Sequence, residues 1–449
     1  MAFGYRHRLG IRKEVGNLFS VLTHSNSIGG VILIICTIGA LVTANLFSDS
    51  LISQIWSTQI ALKIGTFVLD MDIQTFINDV LMAIFFFVVG LEIKREMLVG
   101  ELTSFKQAAL PIFAAIGGMI VPALFFYIIN YGTPNQHGWG IPMATDIAFT
   151  LGAISLLGKR VPISIKIFLT ALAIVDDIGS IIVLAIFYPS HPLETTYLYY
   201  AIVVIAILII LNRLNVNRSS LFIIPGIILW YFIYESGIHA TIAGVILAMT
   251  IPAKTQINEV RFFTRSTYYL SKFKKLSNDQ VNILANTQQL DIIHNLHSYI
   301  RKINPPINRF EHRIHPWITF SIMPLFAFAN ARVDLSGFSL DTLFGNVSVG
   351  IFVGLFLGKP IGIFTASMIA CRLGIAKLPH DTTKPQLLSA GILAGIGFTM
   401  SIFIDGLAFK DPLIINEGKA AILIASTVAA TIGLIALHYT TDKKIRFIN

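Results

Sequence analysis

The sequence predicts an all-α polytopic membrane protein with about twelve transmembrane helices. Three observations lead there. Of 449 residues, 55% are hydrophobic and only 13% charged, whereas water-soluble domains carry roughly 25% charged residues. Apolar stretches of about 20 residues, the length that takes a helix across about 30 Å of hydrocarbon, recur along the whole chain. These stretches are continuously apolar and lack the roughly ten-residue alternation of barrel strands, so helices are left to satisfy the backbone inside the bilayer.

Apolar windows place spans at 28–48, 76–97, 108–130, 139–158, 163–188, 197–212, 219–234, 237–252, 316–331, 346–371, 386–404 and 418–438. The chain thus divides into a polar N-terminal segment (1–27), eight spans within 28–252, a polar insertion (253–315), four spans within 316–438 and a short tail (439–449). The first apolar run begins near Ser27 behind a basic segment and is long enough to span, so it is expected to stay in the mature chain rather than be cleaved as a signal. Residues 56–73 alternate in β fashion around Gly65, predicting a small external hairpin. Within the insertion, Ser277 and Gln280 form a capping box ahead of Ile293, Leu296, Ile300 and Ile303, which share one helical face. That pattern predicts an amphipathic helix on the cytoplasmic surface. Cys36 and Cys371 sit in apolar stretches without metal or redox spacing and are expected in the core.

The net charge of +9 does not point to nucleic acid, because its distribution follows the membrane. With both termini cytoplasmic, the inner segments hold Arg6, Arg8, Arg12 and Lys13, then Lys94, Arg95 and Lys106, then Lys159, Arg160 and Lys166, and so on to Lys443, Lys444 and Arg446. The outer segments hold only Lys63, Arg332, Lys410 and Lys419. Basic residues collect on the cytoplasmic side of membrane proteins, so an even number of spans with both ends inside is expected.

An ionised side chain at bilayer depth costs at least about 2.5 kcal/mol, which makes each one a candidate for function. The set is Asp79, Asp146, Asp176, Asp177 and Lys359, with Glu92 and Glu96 near the cytoplasmic end of their helix. Asp176 and Asp177 lie mid-span in ALAIVDDIGS. Neighbours on a helix point about 100° apart, so only one can face a given groove squarely and the other needs a different partner. A carboxylate is a hard oxygen ligand, and burial beside a second carboxylate strengthens its hold on protons. Sodium and protons would then compete for the same oxygens, which is sufficient for exchange at an alternately exposed site. Lys359, in GLFLGKPIGIF, can neutralise one acid or give up its own proton when sodium arrives. Asp146 follows Thr145 in a span interrupted by Gly138, Gly140 and Pro142, and a later span carries Gly391, Gly395 and Gly397. Such interruptions let a helix unwind and expose carbonyls and half-helix dipoles, which Asp146 would offset.

Together the segments FINDVLMAIFFFVVGLEIKRE, AAIGGMIVPAL, IPMATDIAF, VPISIKIFLTALAIVDDIG, SGIHATIAGV, HPWITFSIMPLFAFANA, GKPIGI and GILAGIGFTMSIFI resemble the NhaA family of bacterial sodium/proton antiporters over nearly the whole chain. The resemblance implies cation ligands at Asp176, Asp177 and Thr145, broken-helix residues at Thr145 and Asp146, and the intramembrane lysine at Lys359. It implies electrogenic exchange in the bacterial inner membrane, with sodium or lithium expelled as more protons enter. These ions are cargo, and no cofactor is expected. It also implies inverted repeats with two broken, crossing helices near 139–158 and 386–404, this family being a familiar instance of that architecture. Activation at alkaline pH would map to Glu92, Arg95 and Glu96, to Glu311, His312 and His315 in FEHRIHP, and to His239; histidine suits the task because its unperturbed pKa is about 6.5. A homodimer through the hairpin at 56–73 is the expected assembly. The chain departs from the pattern in the insertion before FEHRIHP, which is longer than in the best-known members.

Three other readings fit less well. An intramembrane aspartyl protease would use acids on separate helices, not an adjacent pair with a lysine. A sodium-coupled solute symporter would carry a roomier, more polar midplane site than these small aliphatic spans offer. A channel would need ringed ligands, which a single acid pair does not supply.

Overall fold

The computed structural model describes residues 26–46, 54–64, 67–189, 192–276, 286–334, 344–379 and 381–446. Among the described residues, seven helices are long and apolar enough to cross a membrane: Gly29–Leu46, Ile73–Val99, Lys106–Ile129, Ile163–Phe187, Thr195–Arg213, Asn346–Arg372 and Pro412–Thr441. Two bent pairs, Pro134–Met143 with Ile147–Leu156 (46°) and Lys384–Ala394 with Phe398–Ala408 (47°), raise that number to nine. These nine coincide with nine of the predicted spans.

The other three predicted spans are helical but differ in length. Ser220–Glu235 has 16 residues and Thr241–Thr250 only 10. The span predicted at 316–331 begins ten residues earlier, as a helix from Pro306 to Trp317 that passes through a π turn, Ile318–Ile322, into Met323–Asn330. Pro306 explains the early start, since proline at a first helical position loses no intrahelical hydrogen bond. The polar stretch NRFEHRIH hides that helix from a hydropathy reading.

The chain forms two compact units. The first comprises Met1–Phe85, Glu96–Pro192 and Pro316–Asn449. It contains the hairpin, whose strands Gln59–Ile64 and Phe67–Asp72 pair antiparallel with Gln59 opposite Asp72 and Ile64 opposite Phe67. Asp72 ends the hairpin and caps the next helix by accepting from the Thr75 N–H at 2.7 Å. At the centre of this unit the 105–129 and 346–372 helices cross with their backbones touching. Gly117 faces the Gly362 carbonyl and Gly362 faces the Gly117 carbonyl, so a methyl group on either would overlap the other's oxygen. Small residues allow this approach where apolar lipid offers no hydrophobic drive for helices to associate. Cys36 and Cys371 are free and half-buried, not core residues; each lies on a helix side only partly covered by neighbours.

The second unit comprises Phe86–Arg95 and Leu193–His315. In it Gly90 packs against Val245 and Ala248, and Gly226 against Leu247. The insertion holds two helices, Glu259–Lys275 and Thr287–Ile303, where the sequence predicts one. They are capped by Asn258 and Asn286 and meet through Tyr269 and Tyr299, ring centroids 5.7 Å apart. The face with Ile293, Leu296, Ile300 and Ile303 belongs to the second helix, which starts at Thr287; the proposed cap at Ser277 and Gln280 lies outside the described residues.

The glycine crossing predicts that Gly362→Leu destabilises the protein, since overpacking a tight contact costs about 1–3 kcal/mol. The purified variant should show a lower thermal unfolding midpoint in detergent. An unchanged midpoint would mean that the two helices do not touch there.

Candidate functional site

The site begins with two helices that stop short. After the Pro134–Met143 segment the chain is extended at Ala144 and Asp146, with ψ 146° and 103°, before Ile147–Leu156 starts. In the second pair, Lys384–Ala394 ends at Gly395, which lies too close to the Leu355 carbonyl for any side chain, and Phe398–Ala408 starts from Phe398 at φ 21°. Each break frees backbone groups that buried structure must satisfy, and here each break serves the other. The Asp146 N–H donates to the Ile396 carbonyl at 2.8 Å. The Thr145 hydroxyl donates to the Ala394 carbonyl at 2.9 Å, and the Ser401 hydroxyl to the Ile141 carbonyl at 2.9 Å.

Asp146 completes the junction. One carboxylate oxygen accepts from the Phe149 N–H at 2.9 Å, which makes Asp146 the N-cap of its own half-helix. The other accepts from the Thr399 N–H at 3.2 Å and from the Thr399 hydroxyl. A single buried carboxyl group therefore stands at the N-terminal ends of two half-helices, where their dipoles favour an anion. Asp146 thus lies at the half-helix end named in the sequence reading, and the second helix end and Thr399 are additions.

Lys359 emerges from a π turn, Gly354–Gly358, and its side chain is 0% exposed. Its ammonium donates to Asp176 Oδ2 at 2.6 Å and to the Thr145 hydroxyl at 2.8 Å. Thr145 thus ties the lysine to the Ala394 carbonyl, joining one intact helix to both broken ones. Asp176 is 1% and Asp177 3% exposed. Asp176 Oδ1 accepts no hydrogen bond among the described residues. Asp177, the next residue along the helix, acts on the lysine through its charge. Of the two acids, Asp176 is the one that takes the lysine. Chemically, the arrangement offers a buried carboxylate with one oxygen on an ammonium and the other without a hydrogen bond among the described residues, and a second carboxylate one residue further along the helix.

The residues proposed for pH sensing fall in several places. In the second unit Arg95 forms an ion pair with Glu311, and His315 lies within electrostatic reach of Glu311, His312 and Arg95. His312 and His315 are exposed, and Glu92 is half-buried. His239 is buried just ahead of Thr241–Thr250, its Nδ1 3.1 Å from the Thr241 hydroxyl. Glu96 accepts from the Glu101 N–H at 3.1 Å in the turn that ends its helix. Asp79 follows Asn78, whose side-chain oxygen accepts from Asn330 at 2.7 Å. Sequence reasoning misses Thr399, Ser401 and Asp405. The first two could have been found from hydroxyls immediately following a glycine-rich break; Asp405 lies one residue past the apolar window that ends at 404.

Broken helices joined through a buried carboxylate, beside an acid pair and a lysine held away from water, define a membrane protein of the ion-coupled transporter class. The particular family follows from comparison. The model of the Na+/H+ antiporter 1 family matches residues 20–437. The chain is 44% identical over 413 residues to the Na(+)/H(+) antiporter NhaA of Wolinella succinogenes, covering 91% of this chain and 90% of the relative. It is 46% identical over 400 residues to the protein of that name from Oleidesulfovibrio alaskensis (89% of each), and 43% identical over 440 residues to that of Helicobacter pylori strain G27 (96% and 98%). The chain belongs to this family.

Thr399→Val removes a donor from a buried acceptor, a change that costs about 1–3 kcal/mol. The variant should unfold at a lower temperature than the wild type. Equal stability would show that Asp146 does not depend on Thr399.

Proposed function

We propose that the protein is a Na+/H+ antiporter whose exchange site is the Asp176, Asp177, Lys359 and Thr145 enclosure. The observation that carries this reading is the Lys359 ammonium shared between Asp176 Oδ2 and Thr145. In that state a proton on the lysine neutralises the carboxylate. A sodium ion entering at Asp176 Oδ1 and Asp177 replaces that positive charge, because two cations cannot share one small buried enclosure. The ammonium then leaves the carboxylate or loses its proton, and any proton on Asp177 leaves as well. Thr145, freed from the lysine, offers its oxygen to the ion. When sodium departs to the other side, protons return. Competition alone couples the two flows, and no further device is required.

If more than one proton exchanges for each sodium, the cycle moves net charge, and the small enclosure is suited to lithium as well. Twelve spans in two inverted repeats, with the broken pairs crossing, fit the nine spans together with the two shorter helices and the run from Pro306 to Asn330; this architecture is a familiar feature of the family. The distribution of basic residues supports both termini in the cytoplasm and the protein in a bacterial inner membrane. The hairpin at 59–72 is the proposed dimer contact. The group around Arg95 and Glu311, with His312 and His315, is the proposed pH control, since histidine changes charge in the working range.

In vesicles holding the purified protein, a sodium gradient should drive an opposite change in internal pH. Asp177→Asn should abolish it while the protein remains folded; retained exchange would remove Asp177 from the site. Lys359→Ala leaves the buried Asp176 carboxylate uncompensated, which should cost about 3–5 kcal/mol of stability or change the charge moved per cycle. Unchanged values of both would take Lys359 out of the mechanism.

A further inference from the structure

A second acid lies inside the first unit, apart from the exchange site. Asp405 is 0% exposed near the C-terminal end of Phe398–Ala408, the half-helix whose other end Asp146 holds through Thr399. Both of its carboxylate oxygens are buried and accept no hydrogen bond among the described residues. A bare carboxylate in such a place is the most costly of its possible states, because its solvation is lost and nothing replaces it. Something must neutralise it.

The surroundings narrow the choice. Gly418, on the 412–446 helix, lies so close that a methyl group there would overlap Oδ1. A hard cation needs a shell of several oxygen ligands, and the glycine backbone closes that side of the carboxylate to anything much larger than a hydrogen atom. The next residue, Lys419, is the one cation among the described residues whose charge acts on Asp405. No ion pair joins the two within contact distance among the described residues, however. Glu417, the other charge acting on Asp405, is engaged elsewhere, its Oε1 accepting from the Ser348 N–H at 3.1 Å and hydroxyl at 3.0 Å. Arg332 acts on Lys419 in turn and lies over the Trp56 ring. On the remaining neighbours, Met323–Asn330 carries no titratable residue, and His137 of the Pro134–Met143 segment is exposed.

We propose that Asp405 is a second exchangeable proton site, with Lys419 as the partner that takes the carboxylate when the proton leaves. This rests on the antiporter reading and adds a proton-binding group to it. In the conformation described here the carboxyl holds a proton and needs no cation. Deprotonation creates an anion that draws the Lys419 ammonium in, and in the proposal the half-helix shifts against the 412–446 helix, which carries Gly418 and Lys419, as it does so. Asp405 and Thr399 are six residues apart on one helix, a rise of about 9 Å. A shift driven at Asp405 is therefore felt at the Asp146 junction. Alkaline conditions on the Asp405 side would favour one position of the broken helix and acidic conditions the other.

The test compares the pH profile of sodium-driven proton movement in vesicles for the wild type, Asp405→Asn and Lys419→Gln, alongside infrared difference spectra of the purified proteins across the same pH range. Asp405→Asn is held in the neutral form, so its acid limb should match the wild type and its alkaline limb should be lost, together with one protonated-carboxyl band. Lys419→Gln should fold normally and move both the band and the alkaline limb to higher pH, because the anion has lost its partner. An Asp405→Asn profile and spectrum identical to wild type would overturn the proposal. So would Lys419→Gln and Asp405→Asn unfolding to the same extent with the double variant restored, which would make the two residues a fixed structural pair. If Asp405→Asn fails to fold, the Lys419→Gln band decides alone: movement supports the proposal and no movement overturns it. Absence of exchange in the wild type would instead overturn the antiporter reading itself.

Discussion

A lysine with no access to water must have its charge answered from within the protein, and the whole centre of this molecule is arranged around that requirement. Lys359 is met by one carboxylate and one hydroxyl. The carboxylate comes from the middle of an intact helix, but the hydroxyl comes from a residue whose backbone has left helical geometry. Were the Pro134–Leu156 span continuous, Thr145 would be one more turn of helix with its hydroxyl free to bond back to its own backbone. The break turns it outward, and the second break supplies the Ala394 carbonyl that fixes it.

The same economy holds at Asp146. Unwinding two helices in an apolar setting would leave two sets of unpaired N–H groups, each costly in a medium without water. One carboxylate serves both ends, and Ile396 and Ile141 carbonyls take up remaining donors. The result is a polar junction closed on itself apart from the acid pair. Asp176 keeps one oxygen free of hydrogen bonds among the described residues.

What is legible in the sequence depends on whether the cause is local. Asp176, Asp177 and Lys359 stand out because a charge within twenty apolar residues is visible without knowing its neighbours. The glycines and Pro142 mark the first break for the same reason, and the β alternation around residue 65 marks the hairpin. The contacts that make the site lie at long range. Thr145 and Lys359 are 214 positions apart, and Asp146 and Thr399 are 253 apart. Nothing local assigns Thr399 its role. Asp405 is missed because its burial comes from Gly418 on the following helix, whereas a hydropathy window sees only a span that has ended. The helix from Pro306 is missed because its polar face conceals it, and the pairing of Arg95 with Glu311 is again made at long range, 216 positions apart.

The central claim is that sodium and protons compete for one set of oxygens, and it can be read without any membrane. Sodium added to the purified protein in weakly buffered detergent should release protons in proportion to the ion bound. Asp177→Asn should bind no sodium and release none. Sodium binding without proton release, or release that persists in the variant, would contradict the account.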